Sequence, residues 1–109
     1  MSAKWEELFN GLKADGAGLL KGELATLLTS AKADSEAFVK KQAEKTELYM
    51  NQLAAGEVTV KQVEGYLLDI KDLTALQALK LSVAGKASAQ RLVKGIEDLI
   101  LNGLFKLLV

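Results

Sequence analysis

From Thr59 to about Asn102 the apolar residues recur on two opposite faces of a helical pattern. One stripe, read at the 3.6-residue period of an α-helix, runs Val63, Leu67, Ile70, Thr74, Ala78, Leu81, Gly85, Ala89, Leu92, Ile96, Leu99 and Ile100. It is bulky at its ends and small in its middle, where Thr74, Ala78, Gly85 and Ala89 would let a partner helix come close. A second set, Leu68, Leu73, Leu76, Leu79, Val83 and Ala87, lies on the other side and overlaps the first over 68–87. A helix that is apolar on two sides needs cover on both. The pattern predicts one long helix over 59–102, with continuity through Gly85 favoured over a break there.

Its start is well signalled. Gly56 in Ala55-Gly56-Glu57-Val58 suits a helix C-cap, Thr59 an N-cap, and Gln62 the partner in a capping box. Val58 can staple to Val63. Upstream, a second helix is expected over 23–54, with Leu24, Leu27, Leu28, Ala31, Phe38, Tyr49 and Leu53 as its apolar positions. Its middle is charged: Lys32, Glu36, Lys40 and Glu44 form an i, i+4 ladder. Ser35, Gln42 and Thr46 weaken the stripe. A short loop makes these two helices an antiparallel hairpin. Residues 1–22 read as a short N-terminal helix, with Ser2 as its cap, followed by a glycine-rich hinge (Gly11, Gly16, Gly18, Gly22) in which Leu19-Leu20 docks on a core. Trp5, Leu8, Phe9 and Leu12 share one face of the short helix. Asn102-Gly103 closes the long helix, and 103–109 is an apolar tail.

Composition narrows the class. The 109 residues suit one helical domain, 1–109, and 21 Leu with 15 Ala favour helix over sheet. Fourteen basic and fourteen acidic residues cancel, so nothing draws the whole chain to nucleic acid or an acidic membrane. The absence of cysteine and histidine removes thiolate chemistry and the commonest metal ligand and acid–base group. No apolar run is long enough for a spanning helix, and Trp5, Glu6 and Glu7 interrupt any secretory signal. The expected location is cytoplasmic.

Candidate chemistry is thin. Gly85-Lys86-Ala87-Ser88 resembles the end of a phosphate-binding loop only superficially: position 80 is Lys and position 87 is Ala. Glu64, Asp69 and Asp72 have no histidine partner and no calcium-loop spacing, so a solvated face is the better reading. Glu97 and Asp98 read alike. Lys80, Lys86, Arg91 and Lys94 form a positive strip in which Lys80, Arg91 and Lys94 cluster, again better read as solvated. The segment 96–109 has the bulk of a membrane-surface helix but little of its basic face.

These observations predict an all-α protein: an antiparallel helical hairpin with a long C-terminal helix and a short N-terminal helix, assembled into an oligomeric helical bundle. The expected function is structural and non-enzymatic, with no catalytic, cofactor-binding or metal residues and no cofactor. The partner is another copy, as a dimer or higher oligomer, or a foreign protein; nucleic acid is not expected. The interaction residues expected are Trp5, Leu8, Phe9, Leu73, Leu76, Leu79, Val83, Leu92, Ile96 and Phe105. The alternative is membrane-surface binding through the apolar C-terminal segment.

Overall fold

A computed structural model describes residues 4–12 and 16–108. Ser2 as a cap, residues 13–15 of the glycine-rich stretch and Val109 of the tail lie outside the described residues. The described chain is all helical: α1 (Lys4–Asn10), α2 (Ala17–Lys32), α3 (Ala37–Ala54), α4 (Val60–Ala78), α5 (Val83–Leu101) and α6 (Leu104–Leu108). Its Cα radius of gyration is 13.5 Å, close to the ~13 Å of a compact domain near this length.

The long helix expected over 59–102 is two helices. It breaks at Leu79-Lys80-Leu81-Ser82, just before Gly85, and α5 folds back onto α4 in the most extensive packing of the molecule. Ser82 caps α5: its Oγ accepts from the Gly85 N–H at 3.2 Å. The break is hard to read because the four linking residues preserve the helical phase. The first apolar stripe therefore stays in register on both sides, and Val63, Leu67, Ile70, Thr74, Ala78, Gly85, Ala89, Leu92, Ile96 and Leu99 are all buried. Gly85 occupies N3, where a capping box would place Glu or Gln. A Cβ there would stand 2.8 Å from a Glu36 carboxylate oxygen and 3.0 Å from Leu81 Cβ. A larger residue there would have to displace the Glu36 carboxylate, so the position that would have announced the helix start is held by glycine.

The helix expected over 23–54 is likewise two. Residues 33–36 are non-helical, and Asp34 Oδ1 accepts from the Glu36 N–H at 2.8 Å, closing an Asx turn ahead of α3. The Lys32–Glu36–Lys40–Glu44 ladder is broken with it. Lys32 instead donates to Glu47 Oε1 at 2.8 Å. Upstream, most of the expected hinge is helix: α2 starts after Gly16, which takes the left-handed conformation at φ 88°. Glycines 18 and 22 cost about 1 kcal/mol each, which burial of Leu20, Leu24, Leu28 and Ala31 offsets. Leu19 points outward.

The start of α4 follows the sequence. Thr59 Oγ1 accepts from the Gln62 N–H at 3.1 Å, and Gln62 Oε1 accepts from the Thr59 N–H at 2.9 Å. Val63 is buried and Val58 packs against the same core. Short links join α3 to α4 and α4 to α5, so consecutive helices lie side by side. The core runs between α2, α3, α4 and α5, with α1 packed on α2 and α3 and α6 packed on α4 and α5.

Candidate functional site

The ten side chains expected to form interactions separate into two groups. Trp5 and Phe9 are interior to their own chain and Leu8 is half-buried. Their helix packs on α3 and α2, not over Leu73, Leu76, Leu79 and Val83 as a cover. The Trp5 and Phe9 rings meet edge to face with centroids 6.1 Å apart. Glu47 ties three helices together here: its carboxylate accepts from the Trp5 indole N–H at 3.3 Å and from Lys32 at 2.8 Å. The Trp5 backbone N–H donates to Asn51 Oδ1 at 3.1 Å. Leu92 and Ile96 are core residues of α5. Phe105 and Leu104 are buried where α6 packs on α4 and α5. Apart from half-buried Leu8, these side chains are covered by the fold itself.

The second group faces outward. Leu73, Leu76, Leu79 and Val83 are 46%, 65%, 74% and 87% exposed. They lie three and four residues apart in sequence but at different places: Leu73 borders a recess between α3 and α4, Leu76 is on α4, Leu79 is in the link and Val83 opens α5. Leu68 adds to them lower on α4. Beside them a groove of about 550 Å³ runs between α4 and α5, with Ala75, Ala78 and Leu79 on one wall and Lys86, Gln90, Val93, Lys94 and Glu97 on the other. The alanines of α4 make this groove shallow and apolar at its floor. Scattered exposed leucines are ordinary on a protein surface; large apolar side chains gathered around one link are not.

Charge is divided across this face. Asp72 is exposed on α4, with Asp69 on the flank of α4 toward α3, and Lys80, Lys86 and Lys94 are exposed on the link and α5. Contacts within the chain are loose: Lys71 to Asp72 at 3.5 Å and Lys94 to Asp98 at 3.8 Å. Arg91 leaves the expected cluster with Lys80 and Lys94. It lies on the other flank of α5, donating to Ser88 Oγ at 3.1 Å and standing 3.7 Å from Asp34. Asp34 is the group whose acidity is clearly displaced. The Glu36 N–H does most to hold its carboxyl below the ordinary 3.8; burial opposes this, and the Ser88 hydroxyl and Arg91 guanidinium add to the lowering. That is the chemistry of a structural cap.

A second groove, about 710 Å³, separates α2 from α5. Gly18, Gly22, Thr26 and Ser30 line one side and Arg91, Gly95, Asp98 and Asn102 the other. Asn102 Nδ2 donates to both Glu23 carboxylate oxygens, at 3.2 and 3.1 Å. Gly95 lets the Leu27 side chain of α2 lie against α5, and a Cβ there would force that side chain to move. Between α3 and α4, Gln42 is 2% exposed, its Oε1 lacks a hydrogen-bond partner among the described residues, and it borders a small recess with Tyr49, Tyr66 and Asp69. Among the described residues, no group of three or more acidic side chains is placed to hold a metal ion. No helix of the described residues is long and apolar enough to cross a membrane.

Comparisons with models of known protein families, with curated proteins and with solved structures gave no match to this chain.

Proposed function

We propose that this chain is a non-enzymatic interaction protein that self-associates through the outer face of α4 and α5. The observation that carries the reading is the exposure of three large apolar side chains around the α4–α5 link, Leu76, Leu79 and Val83, each at least 65%. The chain buries Trp5, Phe9, Leu104 and Phe105, yet leaves these side chains open at the turn between α4 and α5. Removing such side chains from water is the dominant favourable term in most associations. A homodimer or larger symmetric assembly is the economical cover, because one patch then serves both partners.

The membrane-surface alternative has less to draw on. Leu104 and Phe105, the bulky side chains such a segment would insert, are already interior. Lys106 is the sole cation of α6, whereas interfacial helices carry a basic polar face.

The test is a double variant, Leu79→Glu/Val83→Glu, compared with the wild type by circular dichroism and size exclusion. A folded variant of smaller apparent size is the expected result. Equal elution of two folded proteins would contradict the proposal.

A further inference from the structure

We propose that Asn102-Gly103, the link between α5 and α6, is a deamidation site held closed by the docking of α6, and that its product loosens the contact of α5 with α2.

The chemistry needs only the chain and water. Glycine has no side chain to hinder its backbone nitrogen. The Gly103 nitrogen attacks Cγ of Asn102, a C–N bond forms, and the Cγ–Nδ2 bond breaks. Ammonia leaves with the proton that the Gly103 nitrogen gives up. Water then opens the cyclic imide at either carbonyl, leaving aspartate or isoaspartate at position 102.

The fold holds this pair back. The Gly103 N–H donates to the Ile100 carbonyl at 3.1 Å. Asn102 has ψ 4°. That angle eclipses the Gly103 nitrogen with Asn102's own backbone nitrogen and turns it away from the side chain, so ring closure requires ψ to rotate well away. Asn102 Nδ2 donates to both Glu23 carboxylate oxygens at 3.2 and 3.1 Å, which ties the amide to α2. Leu104 and Phe105, directly after the pair, are buried where α6 packs on α4 and α5. Lifting α6 frees the link to turn. A five-residue helix near the end of the chain is the kind of element that opens locally at small cost.

The product carries charge where a donor stood. An acid at 102 faces the Glu23 carboxylate, so the amide's hydrogen bonds become a like-charge contact across α2 and α5. It also sets a negative charge at the C-terminal end of α5, where the helix dipole disfavours it. Asn10-Gly11, at the end of α1, provides the contrast. Asn10 Oδ1 accepts from the Lys21 ammonium at 2.7 Å. An acid at 10 keeps that donor and gains an ion pair.

The test follows conversion at position 102 by peptide mapping and mass spectrometry at mildly alkaline pH. The native protein, the chain unfolded in guanidinium chloride and Phe105→Ala are compared. When opening outpaces the chemistry, the rate follows the population of the open form. The native protein should convert at least about tenfold more slowly than the unfolded chain, and the folded Phe105→Ala severalfold faster than the native protein. If that variant unfolds, Phe105→Leu replaces it. A native rate equal to the unfolded rate, or a folded Phe105 variant no faster than the wild type, would overturn the gate. No product in the unfolded chain would overturn the site. For the consequence, Asn102→Asp should lower the melting temperature at low salt, and lower it less when Glu23→Gln is already present; Asn10→Asp should not lower it. Equal losses with and without Glu23 would overturn the effect on α2.

Discussion

Truncating Leu76 separates the stability of the fold from the strength of association. The side chain is 65% exposed in the isolated chain. Full burial of a leucine is worth about 1.5–3 kcal/mol, so roughly two-thirds of that, about 1–2 kcal/mol, remains to be gained on docking. A symmetric dimer buries the residue twice, so Leu76→Ala should weaken it by about 2–4 kcal/mol, or about 30- to 700-fold in Kd. The folded monomer should barely notice: exposed substitutions change stability by about 0.5 kcal/mol or less, and alanine is the better helix former. Leu76→Glu should weaken association further. Sedimentation equilibrium across a dilution series gives Kd, and urea unfolding at a concentration where both proteins are monomeric gives protomer stability. A Kd changed by less than about threefold, with the fold intact, would refute the account of this face.

Three more predictions concern the fold. Trp5→Ala should cost about 3–5 kcal/mol in urea unfolding, since it removes a buried ring and its edge-to-face partner contact; a loss under about 1 kcal/mol would mean α1 is not part of the core. Gln42→Met should raise stability by about 1 kcal/mol by replacing a buried amide whose Oε1 has no partner among the described residues with an apolar side chain of similar length; a lower melting temperature would show that the amide oxygen has a partner. Asp34 has a depressed carboxyl in the folded state, so its stabilising contribution is complete above its ordinary 3.8 and is lost as pH falls through the lower folded-state value. The wild-type advantage over Asp34→Asn should therefore shrink between pH 5 and strongly acidic pH; an advantage constant over that range would contradict the assignment.

The inner stripe of α4 and α5 was legible in the sequence because its period is a property of the buried surface, not of helix continuity. The period therefore marks the buried positions from Val63 to Leu99 but not the bend between α4 and α5. Ser82 is a sound N-cap, but it is followed by Gly85 where an acidic or amide side chain would have flagged a helix start. In α3 the opposite error arose. Gln42 and Thr46 looked like interruptions, yet Val39, Ala43 and Met50 continue the same buried line. Thr46 satisfies its hydroxyl on the Gln42 carbonyl at 2.9 Å, as Thr74 does on Ile70 at 2.6 Å. A threonine that bonds back to its own helix can be a core residue, and counting it as polar hid the register 39-43-46-50.

Of the expected interaction surface, the sequence isolated Leu73, Leu76, Leu79 and Val83 because no inner stripe accommodates them. It could not separate them from Trp5, Phe9, Leu92, Ile96 and Phe105. Those residues have equal hydrophobicity, and only the packing of α1 and α6 distinguishes side chains facing in from side chains facing out. The charge division between α4 and α5 was equally hidden. Asp69 and Asp72 look adjacent to Lys80, Lys86 and Lys94 along one helix, but the bend at 79–82 carries them onto two parallel tracks.

The central claim is tested most directly by the absolute mass of the wild-type protein in solution, from light scattering after size exclusion over a wide range of loading concentrations. The account predicts a mass of twice the 11.7 kDa chain, or a higher multiple, that falls toward 11.7 kDa on dilution. A mass fixed at 11.7 kDa at every concentration would contradict it.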